Sequence, residues 1–151
     1  MTIYEAINII ENIATQSTYK SEIKIYKRFN YVLNGLNSRE FSKKEILSIE
    51  KKLDSLKLDS NPQNRKIYFR KALRKLEKYL RDKFSLVPKG HYISLGTGIG
   101  LTFGIVFSII FLPNMDRSMA ISLGVIAGMI IGHVIIGRYM EYKAAKDGRI
   151  L

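Results

Sequence analysis

Two stretches in the last third of the chain limit its fold more than anything else in it. Tyr92 to Leu112 runs 21 positions without a charge, and Ser118 to Gly137 runs 20 with His133 as the one titratable side chain. At about 1.5 Å of rise per helical residue each covers roughly 30 Å, the thickness of a bilayer's hydrocarbon core. The first stretch holds twelve Ile, Leu, Val or Phe residues and the second holds nine. Each such residue contributes about −0.3 to −0.6 kcal/mol to insertion, which outweighs the modest penalties of Gly, Ser and His. Nothing in a chain of 151 residues is large enough to bury two such runs as the core of a soluble hairpin. Both are expected to span a membrane.

The connector, residues 113–117 (Pro113-Asn114-Met115-Asp116-Arg117), is short and rich in turn formers. So short a link predicts antiparallel neighbours, a hairpin over residues 92–137 with both ends on one side. Basic residues choose the side. Arg74, Lys75, Lys78, Arg81, Lys83 and Lys89 precede the first span, Arg138, Lys143, Lys146 and Arg149 follow the second, and Arg117 is alone in the connector. Both termini are therefore expected in the cytoplasm, with residues 138–151 a basic cytoplasmic tail. Met1–Thr15 contains Glu5 and Glu11 and has no basic leader pattern, so insertion is expected to be directed by the spans themselves.

Eight of the eleven glycines lie in the two spans. The first span steps Gly96, Gly100, Gly104, Ser108, and the second Ala120, Gly124, Gly128, Gly132, each four residues apart. Steps of four align small residues on one helix face, where backbones approach closely without a hydrophobic drive. Ser94, Gly98 and Thr102 make a second small face beside the first. Such glycine zippers serve packing within the hairpin, contact between copies in a homo-oligomer, or a pore. A pore calls for a polar stripe or charged ring, and Thr97, Ser122 and His133 make a sparse one.

Residues 1–86 read as an all-α basic bundle. Thr2 with Glu5 and Ser42 with Glu45 have the spacing of capping boxes, the second with Phe41 and Ile46 placed as a hydrophobic staple. Apolar residues recur at helical spacing as Ile3, Ala6, Ile7, Ile10, Ile13; as Ile23, Tyr26, Phe29, Leu33, Leu36 in a helix over 19–36; and as Ile46, Ile49, Leu53, Leu56. Asp59-Ser60-Asn61-Pro62 is expected to break the third helix. A fourth helix over 63–84 sets Phe69, Leu73, Leu76 and Leu80 against a basic remainder that includes Arg70, Lys71, Arg74, Lys75, Lys78, Arg81 and Lys83. A linker at 87–91, containing Pro88-Lys89-Gly90, then leads to the first span.

Charge is uneven: residues 1–90 hold 20 of the 25 Lys and Arg and 10 of the 13 Asp and Glu. A juxtamembrane basic cluster favours anionic headgroups, at about 1 kcal/mol per residue near the surface. An acidic protein partner is the second reading, and nucleic acid is the least favoured because the membrane already explains the charge. The chain has no cysteine, so disulfides and thiolate metal sites are excluded. Gly96-Thr97-Gly98-Ile99-Gly100 resembles a nucleotide loop only until its sixth position, Leu101, and it lies in an apolar run. No catalytic motif is found and no cofactor is expected. His91, beside Tyr92, reads as an interfacial anchor. His133, near the cytoplasmic end of its span, reads as a neutral hydrogen-bonding or interfacially solvated group.

The segment Phe84-Ser85-Leu86-Val87-Pro88-Lys89-Gly90-His91-Tyr92, the two zippers and the ending Lys146-Asp147-Gly148-Arg149-Ile150-Leu151 resemble small uncharacterised bacterial two-span membrane proteins. Those share a basic lead-in, a glycine-zipper hairpin and a Lys-x-Gly-Arg-like ending. The resemblance covers residues 84–151 and implies a bacterial inner membrane with no known activity. The expectation is a non-enzymatic membrane protein that self-associates through glycine faces, its basic bundle binding anionic lipid or a partner. Two alternatives stand beside it: a pore-forming effector gated by the bundle, and a membrane tether for nucleic acid.

Overall fold

The computed structural model describes residues 1–60, 62–112 and 114–151, so Asn61 of the expected break and Pro113 of the expected connector lie outside the described residues. The described residues form six helices and no strand: α1 (Ile3–Gln16), α2 (Lys20–Asn37), α3 (Lys43–Asp54), α4 (Arg65–Phe84), α5 (His91–Phe111) and α6 (Arg117–Lys146). They divide into two compact units, Met1–Leu86 with Leu151, and Val87–Ile150.

In the first unit three of the four helix starts, those of α1, α3 and α4, are capped by a local side chain. Glu5 N–H donates to the Thr2 hydroxyl at 3.1 Å while Thr2 N–H donates to the Glu5 carboxylate at 2.9 Å, so two of the donors orphaned at the start of α1 are satisfied. Ser42 and Glu45 repeat the device on α3, with Ser42 N–H to Glu45 at 2.8 Å. These hydrogen bonds to Ser42 hold the Glu45 carboxyl below its ordinary range. The N-cap of α4 is Asn64, whose side chain accepts from Ile67 N–H at 3.2 Å.

The apolar faces of α1, α2, α3 and α4 share one core. Ile10, Phe29, Leu33, Ile49, Phe69, Leu76 and Leu80 are completely enclosed there, and Tyr26 meets Phe69 edge to face at 5.3 Å. The expected third helix ends early. It stops at Asp54, and Lys57 turns left-handed with φ 47°, so Leu56 reaches the core from a turn and Leu58 beside it is also buried. At its far end α4 closes in left-handed Ser85, whose N–H donates to the Arg81 carbonyl at 3.0 Å.

In the second unit α5 begins after a turn in which His91 N–H donates to the Pro88 carbonyl at 3.1 Å. Gly90, at φ +84°, takes a conformation that a side chain would strain. The expected linker is held in place: Val87 N–H donates to the Arg149 carbonyl at 2.9 Å, and Val87 forms an isolated parallel bridge with Ile150. Asp116 caps α6, accepting from Ser118 and Met119 N–H at 3.0 and 3.2 Å. The helix then continues unbroken past Gly137, the expected end of its span, through a π-helical turn at Gly132–Gly137 to Lys146.

Candidate functional site

The small residues of α5 and α6 lie against one another. A Cβ built on Gly100 would clash with the Gly128 carbonyl oxygen and sit 2.7 Å from Gly132 Cα. A Cβ on Gly128 would clash in turn with the Gly100 carbonyl oxygen. Gly96 and Gly132 stand in the same reciprocal relation, as do Gly104 and Gly124. Residue numbers rise on one helix as they fall on the other, so α5 and α6 run antiparallel along this seam. Ser108 (1% exposed) continues it against Gly124, and Ala120 (3% exposed) lies on the α6 stripe beyond. Where a glycine carbonyl comes close to a glycine Cα across such a seam, Cα–H···O contacts worth about 0.5–1 kcal/mol each become available.

Gly137 was not part of the expected stripe, because it follows Gly132 by five residues rather than four. The π turn explains why it joins. A turn built on i→i+5 bonds brings residues five apart into line, and Gly137 is buried, its N and Cα within 2.6 and 2.8 Å of a Cβ built on Gly96. A glycine one step out of register at the end of a zipper is the signal that could have revealed it.

With glycine turned inward, the large apolar residues turn outward. Phe103, Phe111, Ile110 and Ile135 are 71%, 62%, 61% and 62% exposed. Both helices are long and apolar enough to cross a membrane, and only 17% of the most apolar window of each is buried. A soluble core helix would be mostly buried. The other small face of α5 is free: Ser94, Gly98 and Thr102 are exposed, and a Cβ on Gly98 would meet nothing within 4 Å.

Polar groups are few here and mostly satisfied locally. The Ser108 hydroxyl donates to the Ile105 carbonyl at 2.8 Å, and that of Thr97 donates to the Ile93 carbonyl at 2.9 Å. With its proton so placed, Thr97 offers only an oxygen to His133 Nδ1, 3.4 Å away. That contact suits an imidazole carrying its proton on Nδ1, and His133 is otherwise exposed. His91 and Tyr92 stack edge to face at 5.3 Å. Glu141, which carried no role in the sequence reading, accepts from Gly90 N–H at 2.5 Å and Tyr92 N–H at 3.2 Å. Its carboxylate thus caps the start of α5, where orphan donors and the helix dipole favour an anion.

On α4 the expected basic residues do not all share one surface. Arg70, Lys71, Arg74, Lys78 and Arg81 are exposed and by helical spacing form one stripe opposite Phe69, Leu76 and Leu80. Lys75 is exposed on its flank. Lys83 turns instead toward α3, where it donates to the Ser48 hydroxyl and lies 5.6 Å from the Tyr79 ring centre. Glu77 is neutralised by Arg28 of α2 at 2.9 Å, and Asp82 lies 3.5 Å from Arg81. The stripe keeps an excess of positive charge. Among the described residues no group of three or more His, Asp or Glu could hold a metal ion.

No protein-family model matches the chain, and no curated protein or solved structure matches it.

Proposed function

We propose that this chain is a non-enzymatic integral membrane protein whose hairpin of α5 and α6 spans a bilayer and whose basic α4 stripe binds anionic headgroups. One observation carries the reading: small residues face inward and large apolar residues outward along both long helices. In water that arrangement would expose the costliest side chains and bury the cheapest, at about 25 cal/mol per Å² of apolar surface left wet. In hydrocarbon the sign reverses, and close backbone approach becomes the available source of helix–helix affinity. The inward stripes are occupied within the chain, so copies associate through the remaining small face, Ser94, Gly98 and Thr102. The basic flanks orient the hairpin with residues 1–86 and 138–151 in the cytoplasm, and the resemblance of residues 84–151 to bacterial two-span proteins points to the inner membrane. Alkaline carbonate washing of membranes that contain the full chain should leave it in the pellet, with detergent alone releasing it. Recovery in the carbonate supernatant would sink the spanning hairpin.

A further inference from the structure

Beyond Gly137, α6 leaves its apolar stretch and stays helical as Arg138–Lys146. At about 100° per residue, Arg138, Tyr139, Tyr142, Lys143 and Lys146 fall within an arc of about 140°. All five are exposed, Tyr139 at 67% and Tyr142 at 70%. The opposite side carries Ala144, fully buried, and Glu141, whose carboxylate is turned onto Gly90 and Tyr92 N–H of the α5 start. Glu141 is therefore engaged away from the arc. Asp147 is paired with Arg149 at 2.9 Å, and among the described residues no ion pair involves Arg138, Lys143 or Lys146.

Exposed tyrosines beside unpaired cations, starting where the apolar surface stops, match the chemistry of the layer between acyl chains and phosphates. A tyrosine lies there with its ring toward the chains and its hydroxyl toward water, and a lysine or arginine lays its stem along apolar surface while its charge reaches the headgroup. We propose that the Arg138–Lys146 arc binds anionic phospholipid headgroups and thereby sets the depth of α6 in the bilayer. The proposal rests on the spanning hairpin and adds a second lipid site, separate from the basic stripe of α4. Helical continuity makes it rigid: the arc cannot move along the membrane normal without carrying the Gly132–Gly137 seam with it.

The chain has no tryptophan, so one introduced indole reports alone. Full-length Tyr142→Trp and Phe103→Trp variants would be reconstituted into phosphatidylcholine vesicles with or without phosphatidylglycerol. Lipids brominated either high or low on their acyl chains serve as quenchers. The Tyr142→Trp variant should be quenched by the shallow label and not the deep one, and the Phe103→Trp variant the reverse. Adding Arg138→Gln, Lys143→Gln and Lys146→Gln should lower several-fold the quenching of the Tyr142→Trp variant by a shallow label carried on phosphatidylglycerol, a readout local to the arc that the α4 stripe does not supply, while the Phe103→Trp quenching stays unchanged. An unquenched Tyr142→Trp variant beside a quenched Phe103→Trp variant places the arc in water, the setting of an acidic protein partner, and overturns the proposal. Unchanged quenching of the Tyr142→Trp variant by the labelled phosphatidylglycerol after the triple substitution overturns it as well. If Phe103→Trp escapes both labels, the spanning hairpin fails and the lipid site falls with it.

Discussion

Gly98 and Gly100 are two residues apart on α5, and the difference between them is a test of what each face does. A methyl at Gly100 meets the Gly128 carbonyl and the Gly132 backbone, neither of which can rotate away, whereas at Gly98 it meets nothing within 4 Å. Gly100→Ala should therefore force the helices apart at a cost of about 1–3 kcal/mol, the range for overfilling a packed site. It should lower the temperature of aggregation in detergent. Gly98→Ala should leave that temperature unchanged or raise it, since alanine is the better helix former by about 0.8–1 kcal/mol. Gly98→Ile should reduce cross-linked dimers in native membranes without lowering thermal resistance. Loss of dimers in the Gly100 variant alone would move the proposed self-association to the stripe of Gly96, Gly100 and Gly104.

At the scale of the element, the start of α5 depends on a carboxylate from α6. Glycine at the N-cap has no side chain to accept from the first N–H groups, so Glu141 supplies the acceptor from 49 residues away for Tyr92. Glu141→Ala should destabilise that end by about 0.5–2 kcal/mol, the range seen when a capping side chain is lost. Hydrogen exchange should quicken at the amides of Gly90 and Tyr92 and stay unchanged at Met119, where Asp116 caps α6 independently. Glu141→Gln, which keeps an oxygen acceptor, should show a smaller effect. Equal exchange in all three proteins would show that solvent caps α5 as well as Glu141 does.

At the scale of the whole molecule, the orientation proposed for the hairpin rests on ten basic residues flanking the two apolar helices against Arg117 alone between them. The chain has no native cysteine, so single cysteines at Ser21, Ser118 and Ala145 are each unique labels. In intact cells an impermeant thiol reagent should modify only the Ser118→Cys variant. Modification of the Ser21→Cys and Ala145→Cys variants instead would invert the topology and place the basic stripe of α4 outside.

What was legible in advance depends on how far each feature reaches along the chain. The two capping boxes close over three residues, so the positions of Thr2, Glu5, Ser42 and Glu45 already contain the geometry that the structure displays. The long uncharged runs are equally self-contained, because length and composition alone give two helices fit to cross a membrane. Periodicity placed Phe69, Leu73, Leu76 and Leu80 of α4 in the core. It failed at the end of α3, where Leu56 keeps the helical spacing but is buried from a turn, since apolar burial is compatible with either backbone. Only tertiary structure decided which small face of α5 meets α6, for both faces have the same four-residue step and differ only in their partner. It alone brought Gly137 into the seam through a π turn, drew Lys83 off the basic stripe to Ser48, and set Glu141 on the start of α5. In each case the deciding contact lies across dozens of residues or on another helix, where no local pattern can register it.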